Sequence, residues 1–156
     1  HGDPWHQCSC SWQSVQKYRA RISGPLLDRI DIHIEVPPMR YSELRDGREG
    51  EPSAAIRDRV RTAREIQLDR FRKSRSVFCN AQMSPRMIRR HGAVDAAGAA
   101  LLENVIDRLG MSARAHDRIL KVARTIADLA GVECIRPEHV SEAIQYRTLD
   151  RNHNQR

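Results

Sequence analysis

Arginines in three settings carry the chemistry that this 156-residue chain can offer. The first setting is Ser23-Gly24-Pro25-Leu26-Leu27-Asp28-Arg29-Ile30-Asp31, where Gly-Pro marks a turn or helix boundary. Arg29 stands directly before an alternating segment. From that edge a guanidinium can project to an anionic ligand on a neighbouring subunit. Arginine suits phosphoryl groups because it stays charged and offers a planar fork of donors. The bland alternative is an arginine paired with Asp28 or Asp31. The second setting is Ser112-Ala113-Arg114, with Arg118, Lys121 and Thr125 continuing along one helical stripe. That stripe either approaches a triphosphate or is simply solvated. The third is Arg57, Arg61, Arg64 and Arg72, within one sector of a long basic helix, where they contact nucleic-acid phosphates, a second subunit or only water. Besides the arginines, Cys8-Ser9-Cys10 places two thiols at a spacing that suits part of a metal site.

The elements that must position these groups are mostly helical. Ile56, Val60, Ala63, Gln67 and Phe71 mark one face of a long helix that begins after Pro52. Ser84-Pro85 reads as a cap and first-turn proline of a short helix that stops at Gly92. Asp95 caps another, ended by Gly110, and Ser112 caps a helix running to about Ala130 with Gly131 behind it. Ala115, Ile119, Val122, Ala123, Ile126 and Leu129 form its apolar face. A last helix starts at Pro137 and carries Val140, Ala143 and Ile144. Ahead of these five helices, Ile30-Asp-Ile-His-Ile-Glu-Val36 alternates strictly, which predicts a strand ended by Pro37-Pro38. A lone strand leaves its ladder groups unpaired, so its partners are expected upstream. The opening His1-Gly-Asp-Pro-Trp-His6, without an initiator Met, likewise reads as a cut through a longer protein.

Composition agrees with packed helices: 40% hydrophobic residues, 4% aromatic and 30% charged. The formal net charge of +7 attracts polyanions, whether nucleic acid, nucleotide phosphates or an anionic membrane surface. No apolar run approaches a membrane span, and no signal peptide is visible. Four cysteines are too few for a disulfide framework, so a reducing cytoplasm is the expected location. Cys79 and Cys134 read as ordinary buried or structural thiols.

Long ordered runs resemble one family. Tyr18–Val36, Cys79-Asn80-Ala81-Gln82-Met83-Ser84, Leu109–Leu129 and Ile135–Arg147 are similar to the magnesium-chelatase-like AAA+ ATPases of the ComM/YifB type, and the likeness covers about residues 7 to 151. The resemblance implies a mainly α fold: a helical-bundle AAA+ lid domain preceded by the last strand and edge of a truncated α/β AAA+ core. Residues 1–16 would be the remnant of a Cys-bearing segment and 17–36 the core edge with arginine finger and strand. Residues 37–51 would be a linker, 52–151 the helical lid (sensor-2) domain and 152–156 a disordered tail. It further implies that Arg29 is the arginine finger, that Arg114 is the sensor-2 arginine, and that Arg118 lies near the nucleotide. The implied whole is a homo-hexameric, cytoplasmic ring ATPase that moves along DNA, with branch migration in natural transformation as its setting.

The chain contains no Gly-x-x-x-x-Gly-Lys-[Ser/Thr] run and no apolar strand ending in paired acids. ATP and Mg²⁺ are therefore expected to be held mainly by upstream residues, and this chain alone is expected to be inactive. Relatives often carry a second Cys-x-Cys just upstream, which would complete a four-thiolate Zn²⁺ set with Cys8 and Cys10. Within this chain, with only His1 and His6 as nearby substitutes, unliganded thiols are the expectation. Two other classes compete with the motor: a stand-alone basic helical DNA-binding module and an oligomerisation module.

Overall fold

The computed structural model describes residues 7–34, 36, 38–45 and 50–147. His1, His6 and the tail at 152–156 lie outside the described residues. Helix α1 spans Trp12–Arg19, α2 Gly24–Leu27, α3 Tyr41–Arg45 and α4 Ser53–Arg70. A 3₁₀ turn at Asn80–Gln82 leads into α5 (Pro85–His91), α6 (Ala96–Leu109), α7 (Ala113–Leu129) and α8 (Pro137–Gln145). The protein is mainly helical, as the residue pattern predicts.

Local chemistry sets the helix ends. Asp95 accepts from the Gly98 N–H at 2.7 Å to start α6, and Ser112 accepts from the Ala115 N–H at 3.2 Å to start α7. Ser84 caps α5 through the Met87 N–H, with Pro85 in the first turn. Each such cap is worth about 1 kcal/mol. Gly110 ends α6 at φ 57° and Gly131 follows α7 at φ 68°, left-handed conformations that a Cβ disfavours.

Helix α7 is the centre of the body. It packs against α8, α4, α5 and the 3₁₀ turn, while α6 packs on α8. Ile119, Leu120, Ala123 and Ala127 of α7 are buried with Phe71, Met83, Ile88, Leu102, Val140, Ala143 and Ile144. A parallel bridge between Val94 and Ile135 ties together the turns that lead into α6 and α8.

A polar node sits inside this apolar shell. Asp128 is 1% exposed and accepts from Arg70 Nη1 at 2.7 Å, from Asn80 Nδ2 at 2.8 Å and from Arg124 Nε at 3.1 Å. Arg70 Nη2 also donates to it. Arg124, itself buried, reaches on to the carbonyls of Val132 and Glu133. Asn80 donates to Thr125 Oγ1 at 3.1 Å, and its own N–H meets Gln67. One carboxylate thus joins α4, the 3₁₀ turn, α7 and the turn that follows it.

Two expectations need correction. Residues 30–34 and 36 form no strand; among the described residues there is no β-ladder at all. Extended backbone becomes a strand only beside another edge, and here the main-chain partner of this segment is the turn that ends α8: the His33 N–H donates to Tyr146 O at 2.6 Å. Ile32, Ile34 and Val36 remain exposed. The apolar face of α4 is likewise only half used. Ala63, Gln67 and Phe71 are buried, whereas Ile56 and Val60 are 40% and 46% exposed, because α7 covers only the C-terminal half of α4.

The node yields a stability test. Burial by itself would push the Asp128 carboxyl up from the ordinary 3.8, but hydrogen bonds from Arg70 and Asn80 and the charges of Arg70 and Arg124 outweigh it and hold the group below that value. The folded pKa lies below the unfolded one. The contribution of this carboxylate is therefore complete above the ordinary carboxylate range and is lost as pH falls through the lowered value. Asp128→Ala, which strands the buried Arg124 guanidinium and the half-buried one of Arg70, should cost about 3–5 kcal/mol in urea unfolding at neutral pH. The gap between parent and variant should narrow in strong acid.

Candidate functional site

The segment bearing Arg29 is fastened to the helical body by its acidic neighbours. Asp28 Oδ2 accepts from Ser112 Oγ at 3.0 Å, so the residue that caps α7 also holds the Arg29 motif. Asp31 pairs with Arg118, six residues further along α7. Arg147, fully buried just past α8, donates from Nη1 to Ile30 O at 2.8 Å and stands 3.8 Å from Asp28 Oδ1. Leu27 is buried beneath this clasp. Five side chains (Asp28, Asp31, Ser112, Arg118 and Arg147) and one main-chain bond, His33 N–H to Tyr146 O, thereby unite residues 27–33 with the start of α7 and the end of α8.

The clasp decides what Arg29 is not doing. Asp28 and Asp31, its plausible structural partners, are turned to the body. Arg29 is exposed, and its Nη1 donates only to the neutral Pro25 carbonyl at 2.8 Å. Arg114 is exposed in the first turn of α7 and makes no hydrogen bond or ion pair with the described residues. Asp28 and Ser112 are hydrogen-bonded to each other, Arg29 follows the first and Arg114 lies two residues past the second. One contact therefore brings both exposed guanidinium-bearing positions to the same end of the molecule.

The rest of the α7 stripe divides. Arg118 is held by Asp31, Lys121 Nζ donates to Ala81 O at 2.8 Å, and Thr125 bridges Lys121 O and Asn80. Only Arg114 keeps its charge uncommitted. On α4, Arg57 is exposed, Arg61 lies 3.6 Å from Asp58 and 3.9 Å from Glu65, and Arg64 donates to Gln67 at 2.8 Å. The residues missed at the sequence level are Arg147 and the two flanking aspartates acting as anchors. The acids on either side of Arg29 were the available signal.

Cys8 and Cys10 are free and exposed, and no group of three or more His, Cys, Asp or Glu among the described residues could hold a metal. The Cys10 N–H donates to Cys8 Sγ at 3.4 Å. That bond, and a second from the Cys10 thiol, lowers the Cys8 thiol below its usual value, and the reciprocal interaction with Cys8 raises Cys10. Cys134 is exposed and Cys79 half-buried, so of the two readings, buried or structural thiol, full burial holds for neither. No helix among the described residues is long and apolar enough to cross a membrane.

Comparison with known proteins agrees with this architecture. The family described as magnesium chelatase, subunit ChlI C-terminal, matches residues 50–147, and magnesium chelatase, subunit ChlI, matches residues 1–44. The competence protein ComM of Haemophilus influenzae is 42% identical over 140 residues, covering 89% of this chain and 26% of its own length. The uncharacterized protein YifB of Salmonella typhimurium is 38% identical over 143 residues, 91% of this chain and 27% of its own. The chain therefore belongs to the magnesium-chelatase-like family of the ComM and YifB type. It spans about a quarter of the length of these relatives.

Two measurements test this geometry. In a double-mutant cycle on Asp31→Ala and Arg118→Ala, urea unfolding should show a favourable coupling of about 0.5–1 kcal/mol, modest because both side chains are about one-third exposed. Iodoacetamide at pH 8 should alkylate Cys8 before Cys10, as read by mass spectrometry of timed digests, because the thiolate is the nucleophile. Equal rates would contradict the order of the two thiols.

Proposed function

We propose that this chain is the arginine-donating C-terminal part of a hexameric AAA+ ATPase that moves along DNA, with branch migration as its task. Arg29 acts as the arginine finger and Arg114 as the sensor-2 arginine at a junction between subunits. The observation that carries this reading is the Asp28–Ser112 hydrogen bond, which couples the two motifs while leaving both guanidinium groups exposed and free of acidic partners. Each then offsets negative charge that develops on the transferring phosphoryl oxygens. The bond of Arg29 to Pro25 O is to a neutral acceptor, which a phosphate oxygen readily replaces. Arg118, committed to Asp31, serves to hold the finger segment against α7.

The chain has no phosphate-loop sequence, so the cradle for ATP and Mg²⁺ is assigned to other parts of the ring. Two further observations support a larger assembly: the exposed apolar residues Ile30, Ile32, Ile34 and Val36, and the greater length of the relatives, of which the match covers 26% for ComM. The competence-protein name of one relative accords with DNA as the substrate.

In the complete protein, Arg29→Ala should reduce ATP turnover on the order of 10³–10⁵-fold while nucleotide affinity stays near the parent value. Arg114→Ala should abolish turnover and weaken nucleotide binding. Because one hydrogen bond holds the two motifs together, both arginines should serve the same nucleotide. Rings assembled from equal parts of the two single mutants should then stay inactive, since every junction lacks one arginine or the other. Turnover restored by mixing would overturn the shared site, and near-parental turnover in Arg29→Ala would overturn the finger assignment.

A further inference from the structure

Between Arg70 and Val94 the chain has seven Lys or Arg residues and no Asp or Glu, an excess equal to the +7 of the whole protein. Arg70 is spent on the buried Asp128. The remaining six are Arg72, Lys73 and Arg75, in the loop after α4, and Arg86, Arg89 and Arg90, on α5. All six are exposed. Apart from Arg72, whose Nη1 lies 3.4 Å from Asp69, none makes a hydrogen bond or ion pair with a described residue.

The fold brings the two groups together. Phe71 at the end of α4 and His91 at the end of α5 pack edge to face with ring centroids 5.7 Å apart, so the residues on either side of each ring emerge side by side. Burial, followed by the charges of Arg90, Arg70 and Arg124, lowers the His91 pKa from its ordinary 6.5, which favours the uncharged imidazole in this contact. Favourable interaction with helix C-terminal dipoles accounts for Arg89 and Arg90 in the last turn of α5, but not for Lys73 and Arg75, which lie beyond α4, or for Arg86 in the first turn of α5. Six like charges on two segments joined by that ring contact repel one another, a cost that an anionic ligand would reverse.

We infer that this face, the loop 72–76 together with α5, binds the phosphodiester backbone of nucleic acid. The ligand must present regularly spaced negative charge, which a phosphodiester chain does and a single nucleotide does not. An acidic peptide would meet the cations equally well, but half-exposed Phe78, at the far end of the same loop, adds an aromatic surface on which a base can stack. The first turns of α4 are the weaker candidate, because Arg59 is bound by Glu51 at 2.6 Å and Arg61 lies between Asp58 and Glu65. The inference deepens the DNA-motor reading and rests on it for the choice of polymer. Its test uses no nucleotide, so it succeeds or fails separately from the roles given to Arg29 and Arg114.

The experiment is fluorescence anisotropy of the 156-residue chain with a labelled 30-base-pair DNA duplex and with the corresponding single strand, across a salt series. The triple variant Arg72→Ala/Lys73→Ala/Arg75→Ala should weaken binding to both about tenfold or more and reduce the slope of log K against log salt on the duplex by about 2–3. Arg86→Ala/Arg89→Ala/Arg90→Ala should do the same from the other half of the patch. Arg57→Ala/Arg61→Ala should cost less than either. Circular dichroism should be unchanged, since the replaced side chains are exposed. Parental affinity and slope in both triple variants, or a larger loss from the α4 pair, would overturn the inference. Displacement of DNA by polyglutamate at matched charge and salt would also overturn it, assigning the face to an acidic protein.

Discussion

Asp128 is the constraint around which this protein is arranged. A carboxylate buried in a helical core is costly unless its lone pairs are met, and here two arginines and an asparagine meet them. The partners come from separate elements, so satisfying the charge fixes where α4 ends, where the 3₁₀ turn lies and how the chain turns after α7. Hydrophobic burial alone tolerates small slides of one helix on another. A bidentate arginine pair does not, because its two parallel bonds specify direction as well as distance. The apolar shell supplies most of the driving force, and the node supplies the register.

With the register of α7 set, its N-terminal turn becomes a fixed docking point. Ser112 does two jobs with one oxygen: it accepts from the helix backbone and donates to Asp28. Arg118 and Arg147 then hold the Asp31 carboxylate and the Ile30 carbonyl just after Arg29. The placement of an arginine exposed at the surface thus derives from its neighbours rather than from its own guanidinium. The flanking acids prevent collapse of Arg29 onto its neighbours by being occupied elsewhere.

What was legible in the sequence was local. Ser84, Asp95 and Ser112 as caps, Gly110 as a terminator and the five helices after Pro52 depend on interactions within a few residues, and all are present. The alternation at 30–36 was also real, but a strand depends on a partner edge, which periodicity cannot supply. Arg124 and Asp128 were invisible as core residues, since a charged side chain in an amphipathic helix reads as solvent-facing. Their burial becomes intelligible only when Arg70 arrives from 58 residues away. The destination of Arg118 was hidden for the same reason: its partner lies 87 residues upstream. The family runs preserved both facts in the order of residues without revealing which pairs met.

The uncovered half of α4 has a mechanical consequence. Ten residues, Ser53 to Thr62, are all exposed, a rod of about 15 Å at the helical rise. The chain enters the helical domain through the tip of that rod. A tilt of the body by about 10° therefore sweeps the entry point through about 3 Å, roughly two residues of helical rise. The exposed Ile56 and Val60 ride on this lever, so small rotations at the clasp are translated into displacement at a distance without any helix having to bend.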